Sequence, residues 1–384
     1  MKVYLDNAST TKLDDRVLKK MLPYFTEKYG NPSSIHSLGQ EAFLTLEKER
    51  ERVAKLLGAD KNGIVFTASA TEANNLIIRG VSLKNKSEKR KRIIISEIEH
   101  PGVREAAKRL KSEGFVIDYL PVDKNGVVNP KSLEKIISND VILVSVIMVN
   151  NEIGTIQNVK ALAEISHKNG SFFHTDAVQA VPYIKIDIKK MGIDFLSLSA
   201  HKFYGPKGVG LAYINPAVEV SPIIVGGGQE NNLRSGTHNL PAIVGLSEAL
   251  SISYRERDKY LKKVTGLRDY FLINLKKEVP ELKLNGSLSK RVPANLNVMF
   301  RYIEGEAILM DLSQKGIYVS TGSACSASDL RSSYVLKAIG LSDNYLNSNI
   351  RFTLGRFNTK KEIDYTIKEV KKTVKRLRDF SPIV

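Results

Sequence analysis

The run Val141-Ile142-Leu143-Val144-Ser145-Val146-Ile147 carries no charge and a single hydroxyl. A strand with one wet face alternates apolar and polar residues; an unbroken branched run is what a strand buried on both faces requires. Such a strand needs helices above and below it, which restricts the chain to an α/β architecture. The flanking sequence supplies those helices. From about residue 40 to 215 the pattern alternates, with helices over 41–57, 71–83, 101–111 and 130–137. Strands fall over 64–67, 93–96, 115–120, 141–147, 171–175 and 194–199. The expectation is a large domain with a mostly parallel sheet flanked by helices, binding its ligand outside the carboxyl ends of the strands.

After residue 240 the character changes. A long charged helical stretch over 241–278 leads to a strand at 296–300, a helix at 304–314, a strand at 350–354 and a helix from Lys360. That mixture predicts a smaller α+β domain, formed by 1–15 and 251–384, beside a large domain over 16–250. The hydrophobic content of 42% is ordinary for a protein with a real core. No apolar run reaches the roughly 20 residues of a membrane helix. The N-terminus passes into strand-like sequence without an apolar leader, so the chain is expected to be cytoplasmic with no membrane partner. The formal charge is +17, but its lysines are spread over helix faces. The densest run, 84–92, lies between a helix and a strand and reads as a solvated loop. Without interleaved aromatics, direct nucleic-acid binding is not expected.

Two strand ends carry the first chemical signal. The strand over 171–175 runs into Asp176, and the strand over 194–199 runs into Ala200-His201-Lys202. A lysine at a glycine-rich turn is ordinarily a solvated charge. An acid at one strand end and a lysine at the next suit pyridoxal phosphate, whose aldehyde takes a lysine as a Schiff base and whose pyridine nitrogen an acid keeps protonated. Ala68-Ser69-Ala70-Thr71-Glu72 opens a helix with small residues, a phosphate site or a simple cap by Thr71. His100 ends another strand, where an imidazole can cover a flat ring. Asn150-Asn151 follow the apolar strand and need polar partners there. Arg351, between Ile350 and Phe352, calls for a carboxylate, from a substrate or from a structural ion pair. No two of the six histidines have metal-ligand spacing, so no metal is expected. Cys325 is the only cysteine and sits in Ser320-Thr321-Gly322-Ser323-Ala324-Cys325-Ser326, among small polar residues. By itself it is a small turn residue or an accessible nucleophile.

Taken in order, these segments resemble the cysteine desulfurases, pyridoxal-phosphate enzymes of fold type I related to class V aminotransferases, and among them class I. The resemblance rests on Gly30-Asn31-Pro32-Ser33-Ser34, Ala70-Thr71-Glu72, Glu99-His100, Asn150-Asn151-Glu152-Ile153-Gly154 and Asp176-Ala177-Val178-Gln179. It continues through Ser199-Ala200-His201-Lys202, Arg234-Ser235-Gly236-Thr237, Gly322-Ser323-Ala324-Cys325 and Ile350-Arg351, nearly the whole chain. It implies that Lys202 holds the cofactor and moves the substrate α-proton, Asp176 pairs with the pyridine nitrogen and His100 stacks on the ring. It implies that Asn151 and Gln179 bind the ring oxygen, and that Ala70, Thr71, Ser199 and His201 hold the phosphate, with Thr237 reaching in from a second subunit of a homodimer. Asn31 and Arg351 would grip the carboxylate of L-cysteine. Cys325 would take the sulfur as a persulfide, leave alanine, and pass the sulfur to an acceptor protein of iron–sulfur cluster assembly or tRNA thiolation.

The family pattern is not followed everywhere. Ser69 stands where glycine is usual, Asn231-Asn232 replace a common Arg-Gly, and Asp329-Leu330-Arg331-Ser332 lacks the usual acidic-proline step. The sequence also ends near Val384 without the longer tail of scaffold-binding members, which leaves the acceptor open. A selenocysteine lyase or another class V enzyme is the alternative within the fold, although an aminotransferase has no use for Cys325. A non-catalytic basic RNA-binding or sulfur-carrier protein has no use for Lys202 and Asp176.

Overall fold

The all-apolar strand lies inside the main sheet. In the computed structural model, which describes residues 1–321 and 333–380, seven strands lie side by side. Their order is Ile64–Thr67, Gly210–Ile214, Phe195–Ser199, Phe172–Asp176, Val141–Ser145, Arg92–Ser96, Val116–Leu120. All pairings are parallel except those of Gly210–Ile214, which runs antiparallel to both neighbours. Val141–Ser145 is buried throughout. It stops short of the expected residue 147 because the Ile147 N–H turns away to the Glu99 carboxyl, 2.6 Å off.

Side-chain alternation divides the core between the two faces of this sheet. Ile64, Phe66, Ile94, Val144, Leu196, Leu198 and Leu211 pack under the helices Ser37–Leu57 and Leu240–Arg255. Val65, Ile93, Ile95, Phe195 and Ala212 pack under Ala70–Lys84 and Pro101–Leu110. Both pairs of helices interdigitate apolar stripes, which is the burial that the continuous strands demanded.

A second core forms around a three-stranded antiparallel sheet, with Asn295–Phe300 between Leu282–Leu284 and Asn349–Thr353. The helices Arg257–Glu278, Gly305–Gln314 and Lys360–Asp379 cover it. Val3 and Leu5 belong to this core, and Val3–Tyr4 pairs in parallel with Ile317–Tyr318. Tyr204 joins the two halves, its ring edge-on to Tyr260 at 6.4 Å and to Phe357 at 5.7 Å. The helical stretch expected over 241–278 is two helices broken at Glu256, whose carboxylate is bound by Arg16. The helices Asp15–Met21 and Val159–Lys168 and the strand Gly210–Ile214 also lie outside the elements expected from sequence.

Candidate active site

The carboxyl ends of five strands of the main sheet converge on one cavity of about 260 Å³. Each strand contributes through the turn that follows it, as expected of ligand sites in such sheets. Ala70 and Thr71 follow Thr67, His100 follows Ser96, and Asn151 follows Ser145. Asp176 and Gln179 come from the next end, and Ser199, His201 and Lys202 from the last. Arg351, from the middle of Asn349–Thr353, closes the cavity from the second core.

The helix start is built for an anion. Ser69, not Thr71, is the N-cap: its Oγ accepts the Glu72 N–H at 3.1 Å. Thr71 is thereby left on the cavity wall. The amides of Ala70 and Thr71 have no partner within the helix, and they border the cavity at its positive end. Gly210 makes this position possible. A Cβ there would lie 2.5 Å from the Ser69 carbonyl carbon and 2.9 Å from the Ala70 nitrogen.

Asp176 is 2% exposed. Its Oδ2 accepts from Asn74 Nδ2 at 2.8 Å and its Oδ1 from the Val178 N–H at 3.0 Å. Lys202 donates from Nζ to the carbonyls of Ala8 (2.7 Å) and Ser9 (2.8 Å), and Gln179 Nε2 donates to the same Ala8 carbonyl. The N-terminal segment thus forms one wall. His100 caps the helix Pro101–Leu110, its Nδ1 accepting the Gly102 N–H at 3.1 Å. Burial lowers its pKa and the nearby Lys202 adds to that, against the pull of Asp176. The neutral ring therefore carries its proton on Nε2. Burial, with Lys202 and Lys207, likewise pushes His201 down to about 4.

Arg351 is 3% exposed and serves both readings of a buried arginine. Its Nη2 pairs with Asp6 Oδ1 and Ser9 Oγ, each at 2.8 Å, and its Nη1 donates to the Asn151 carbonyl at 3.0 Å. Its Nε is buried without a hydrogen-bond partner among the described residues, as is Asn74 Oδ1. Asn150 is satisfied internally, donating to the Ile98 carbonyl and accepting from the amides of Glu152 and Ile153, so only Asn151 lines the cavity.

Two expected residues lie elsewhere within this chain. Asn31 is exposed in a turn, its Oδ1 accepting the Ser33 N–H at 2.9 Å, and Thr237 is exposed on the loop before the helix Leu240–Arg255. Neither lines the cavity. Cys325 lies outside the described residues. Four contributors escaped the sequence reading: Asn74, Asp6, and the main chain of Ala8 and Ser9. Asn74 had a signal, three positions after Thr71 on one helix face. The other three had none, because their partners lie far along the chain.

These residues fit pyridoxal phosphate. A buried carboxylate, an amine and an anion-binding helix start share one cavity, and orphaned polar atoms of Asn74 and Arg351 lie beside it.

Comparison with known proteins agrees with this chemistry. The pattern of the aminotransferase class-V family matches residues 3–366. A protein of Dictyoglomus turgidum described as "Cysteine desulfurase IscS" is 46% identical over 380 residues, 99% of this chain and 96% of the relative. A solved structure of a "NIFS-like protein" superposes with a TM-score of 0.93 at 41% identity, covering 98% of this chain and 100% of the other. Another, described as "SspA in complex with cysteine", superposes with a TM-score of 0.79 at 32% identity, covering 93% and 100%.

Proposed function

The chain belongs to the aminotransferase class-V family, among the pyridoxal-phosphate-dependent cysteine desulfurases, and we propose how its own residues take sulfur from L-cysteine. Bound pyridoxal phosphate supplies an electron sink for the pair left when the substrate α-carbon loses its proton. Lys202 holds the cofactor through Nζ and carries that proton. Asp176, fixed by Asn74 and the Val178 amide, holds the proton on the pyridine nitrogen. The amides of Ala70 and Thr71, with Ser199 and His201, hold the phosphate, and Thr237 of a second subunit completes that grip in a homodimer. Asn151 and Gln179 hold the ring oxygen, and the neutral His100 covers the ring. Arg351 holds the substrate carboxylate, and Asn31, which does not line the cavity within this chain, would have to move to share that grip.

Cys325 then accepts the sulfur. Its thiolate forms an S–S bond as the substrate C–S bond breaks, and the electron pair left on carbon takes a proton. Cysteine and a thiol become alanine and a persulfide. The near end of the cysteine segment is well placed for this. Ser320 is hydrogen-bonded to Arg351, and five extended residues reach at most about 18 Å. The persulfide is passed to a cytoplasmic acceptor protein serving iron–sulfur cluster assembly or tRNA thiolation.

The observation that carries this reading is the meeting of Lys202, Asp176 and Arg351 in one cavity. The test is chemical. The purified protein should absorb in the visible, and borohydride should fix the cofactor to the peptide containing Lys202. Labelling of any other lysine would remove the assignment.

A further inference from the structure

Both ends of the segment that carries Cys325 are fastened beside the cavity. At the near end, the Arg351 N–H donates to the Ser320 carbonyl at 2.6 Å and the Ser320 N–H returns to Arg351 at 3.3 Å. At the far end, Ser333 is 4% exposed. Its Oγ donates to Glu152 Oε2 at 2.5 Å and accepts the Leu336 N–H at 3.1 Å, capping the helix Tyr334–Ala338. Tyr334 donates its hydroxyl to the Glu99 carbonyl at 2.6 Å, and the Arg104 guanidinium lies 4.2 Å from its ring.

The apolar side of this short helix, Val335, Leu336 and Ile339, packs on Ile98, Ile147 and Ile153. Those residues belong to the turns that carry His100 and Asn151 into the cavity. The far anchor therefore stands on the cavity-forming loops themselves. Glu152 is the polar member of that joint. It is 4% exposed, follows Asn151 directly, and does not line the cavity. Its carbonyl receives the side-chain amides of Asn295 and Asn297, which fixes its backbone. Burial raises the pKa of its carboxyl, and Ser333 opposes that rise. A carboxyl buried so far from water is retained with a partner, and Ser333 is that partner.

We infer that Glu152 is a positioning residue: by holding Ser333 it sets where the Cys325 segment rejoins the cavity loops, and so how readily Cys325 meets the substrate sulfur. The inference rests on the reading of Cys325 as sulfur acceptor. With the Ser333 contact gone, Tyr334 and the packing of Val335 and Leu336 still hold the helix, so the anchor shifts and is not released. Misplacing a reacting group by about 1 Å can cost about 10²-fold in rate, so a partial shift costs several-fold.

The test compares Glu152→Ala, Ser333→Ala, the double variant and Glu152→Gln, all as holoenzyme. The expected kcat for alanine formation falls about 3- to 10-fold in each alanine single. The double should match the singles within about twofold, because both remove one interaction. KM and the absorbance change on adding cysteine should stay at wild-type values. Glu152→Gln should recover most of the loss, since its amide oxygen still accepts from Ser333. Where Glu152→Ala does not fold, Ser333→Ala and Glu152→Gln carry the comparison. Wild-type kcat in the singles, additive losses, or loss of the absorbance change would each overturn the inference. Cys325→Ser separates the two levels. If it turns over like the wild type, the reading of Cys325 fails; if it is inactive while the singles keep wild-type kcat, the positioning role alone fails.

Discussion

Replacing Arg351 tests the substrate grip, and the structure sets the magnitude. A guanidinium has five N–H donors. Three are engaged, by Asn151, Asp6 and Ser9, and Nε is buried without a described partner. The two hydrogens left, one on Nε and one on Nη1, leave the planar group on different edges, because both forks need Nη2, whose hydrogens are engaged. A substrate carboxylate therefore gains one charge-assisted hydrogen bond, ~1.5–3 kcal/mol. At about 1.4 kcal/mol per decade, Arg351→Ala should lower kcat/KM for alanine formation by about 10- to 10²-fold. Most of that loss should appear in KM. Arg351→Lys keeps the charge without the fixed donor geometry and should lose less, about 3- to 10-fold. The competing view is that Arg351 serves only as the ion-pair partner of Asp6, 2.8 Å away. Asp6→Asn separates the two, because it removes the ion pair and leaves the guanidinium. Steady-state alanine formation and a cysteine titration of the visible absorbance provide the assay. If Asp6→Asn matches Arg351→Ala, or if Arg351→Ala keeps KM within twofold of wild type, the assignment of the carboxylate grip is wrong.

Gly210→Ala should loosen the cofactor without touching it, since its Cβ would press on the Ser69–Ala70 backbone at 2.5–2.9 Å. Overpacking of this kind costs ~1–3 kcal/mol, and wild-type absorbance after extended dialysis would contradict the close-approach argument. Glu230 is held by a two-point contact from Arg50 (2.8 and 2.9 Å), by His238 (2.7 Å) and by the Phe66 N–H (2.9 Å). Burial pushes its carboxyl up, but Arg50 and His238 outweigh burial and hold it at about 2. A lowered value means stability that is present above pH 4.5 and lost as pH falls toward 2. Glu230→Gln should cost ~3 kcal/mol at neutral pH and flatten that acid limb. Urea midpoints across pH should converge for the two proteins at low pH, and parallel curves would refute the linkage.

Much of the large half was legible because its signals are local. The apolar run at 141–147 demanded burial on both faces, and the short apolar runs at 64–67 and 93–96 read as strands, whose successive side chains enter the cores on both faces of the sheet. Asp176 and Lys202 were legible because each ends a readable strand. What escaped is long-range or locally degenerate. Gly210–Ile214 begins in a glycine-rich turn, and its antiparallel place between two strands depends on partners at Ile64–Thr67 and Phe195–Ser199. The break at Glu256 carries neither glycine nor proline; its bond to Arg16 is visible only in three dimensions. Ser69 and Thr71 are equally good caps by composition, and only the backbone decided for Ser69. Asp6 meets Arg351 across nearly the entire chain, a contact that no periodicity encodes.

In the proposed mechanism the cavity binds cysteine and Cys325 takes its sulfur, two events that one variant separates. Alanine formation by Cys325→Ser, with visible absorbance followed in the same cuvette, reads both. In that mechanism Arg351 and the cofactor handle the carboxylate and amine without the thiol, so adding cysteine should still change the spectrum. Serine is close in size but is a far weaker nucleophile toward sulfur, so alanine formation should fall almost to nothing and no persulfide should be recovered on the protein. Turnover by Cys325→Ser near the wild-type rate would mean that Cys325 is not the sulfur acceptor.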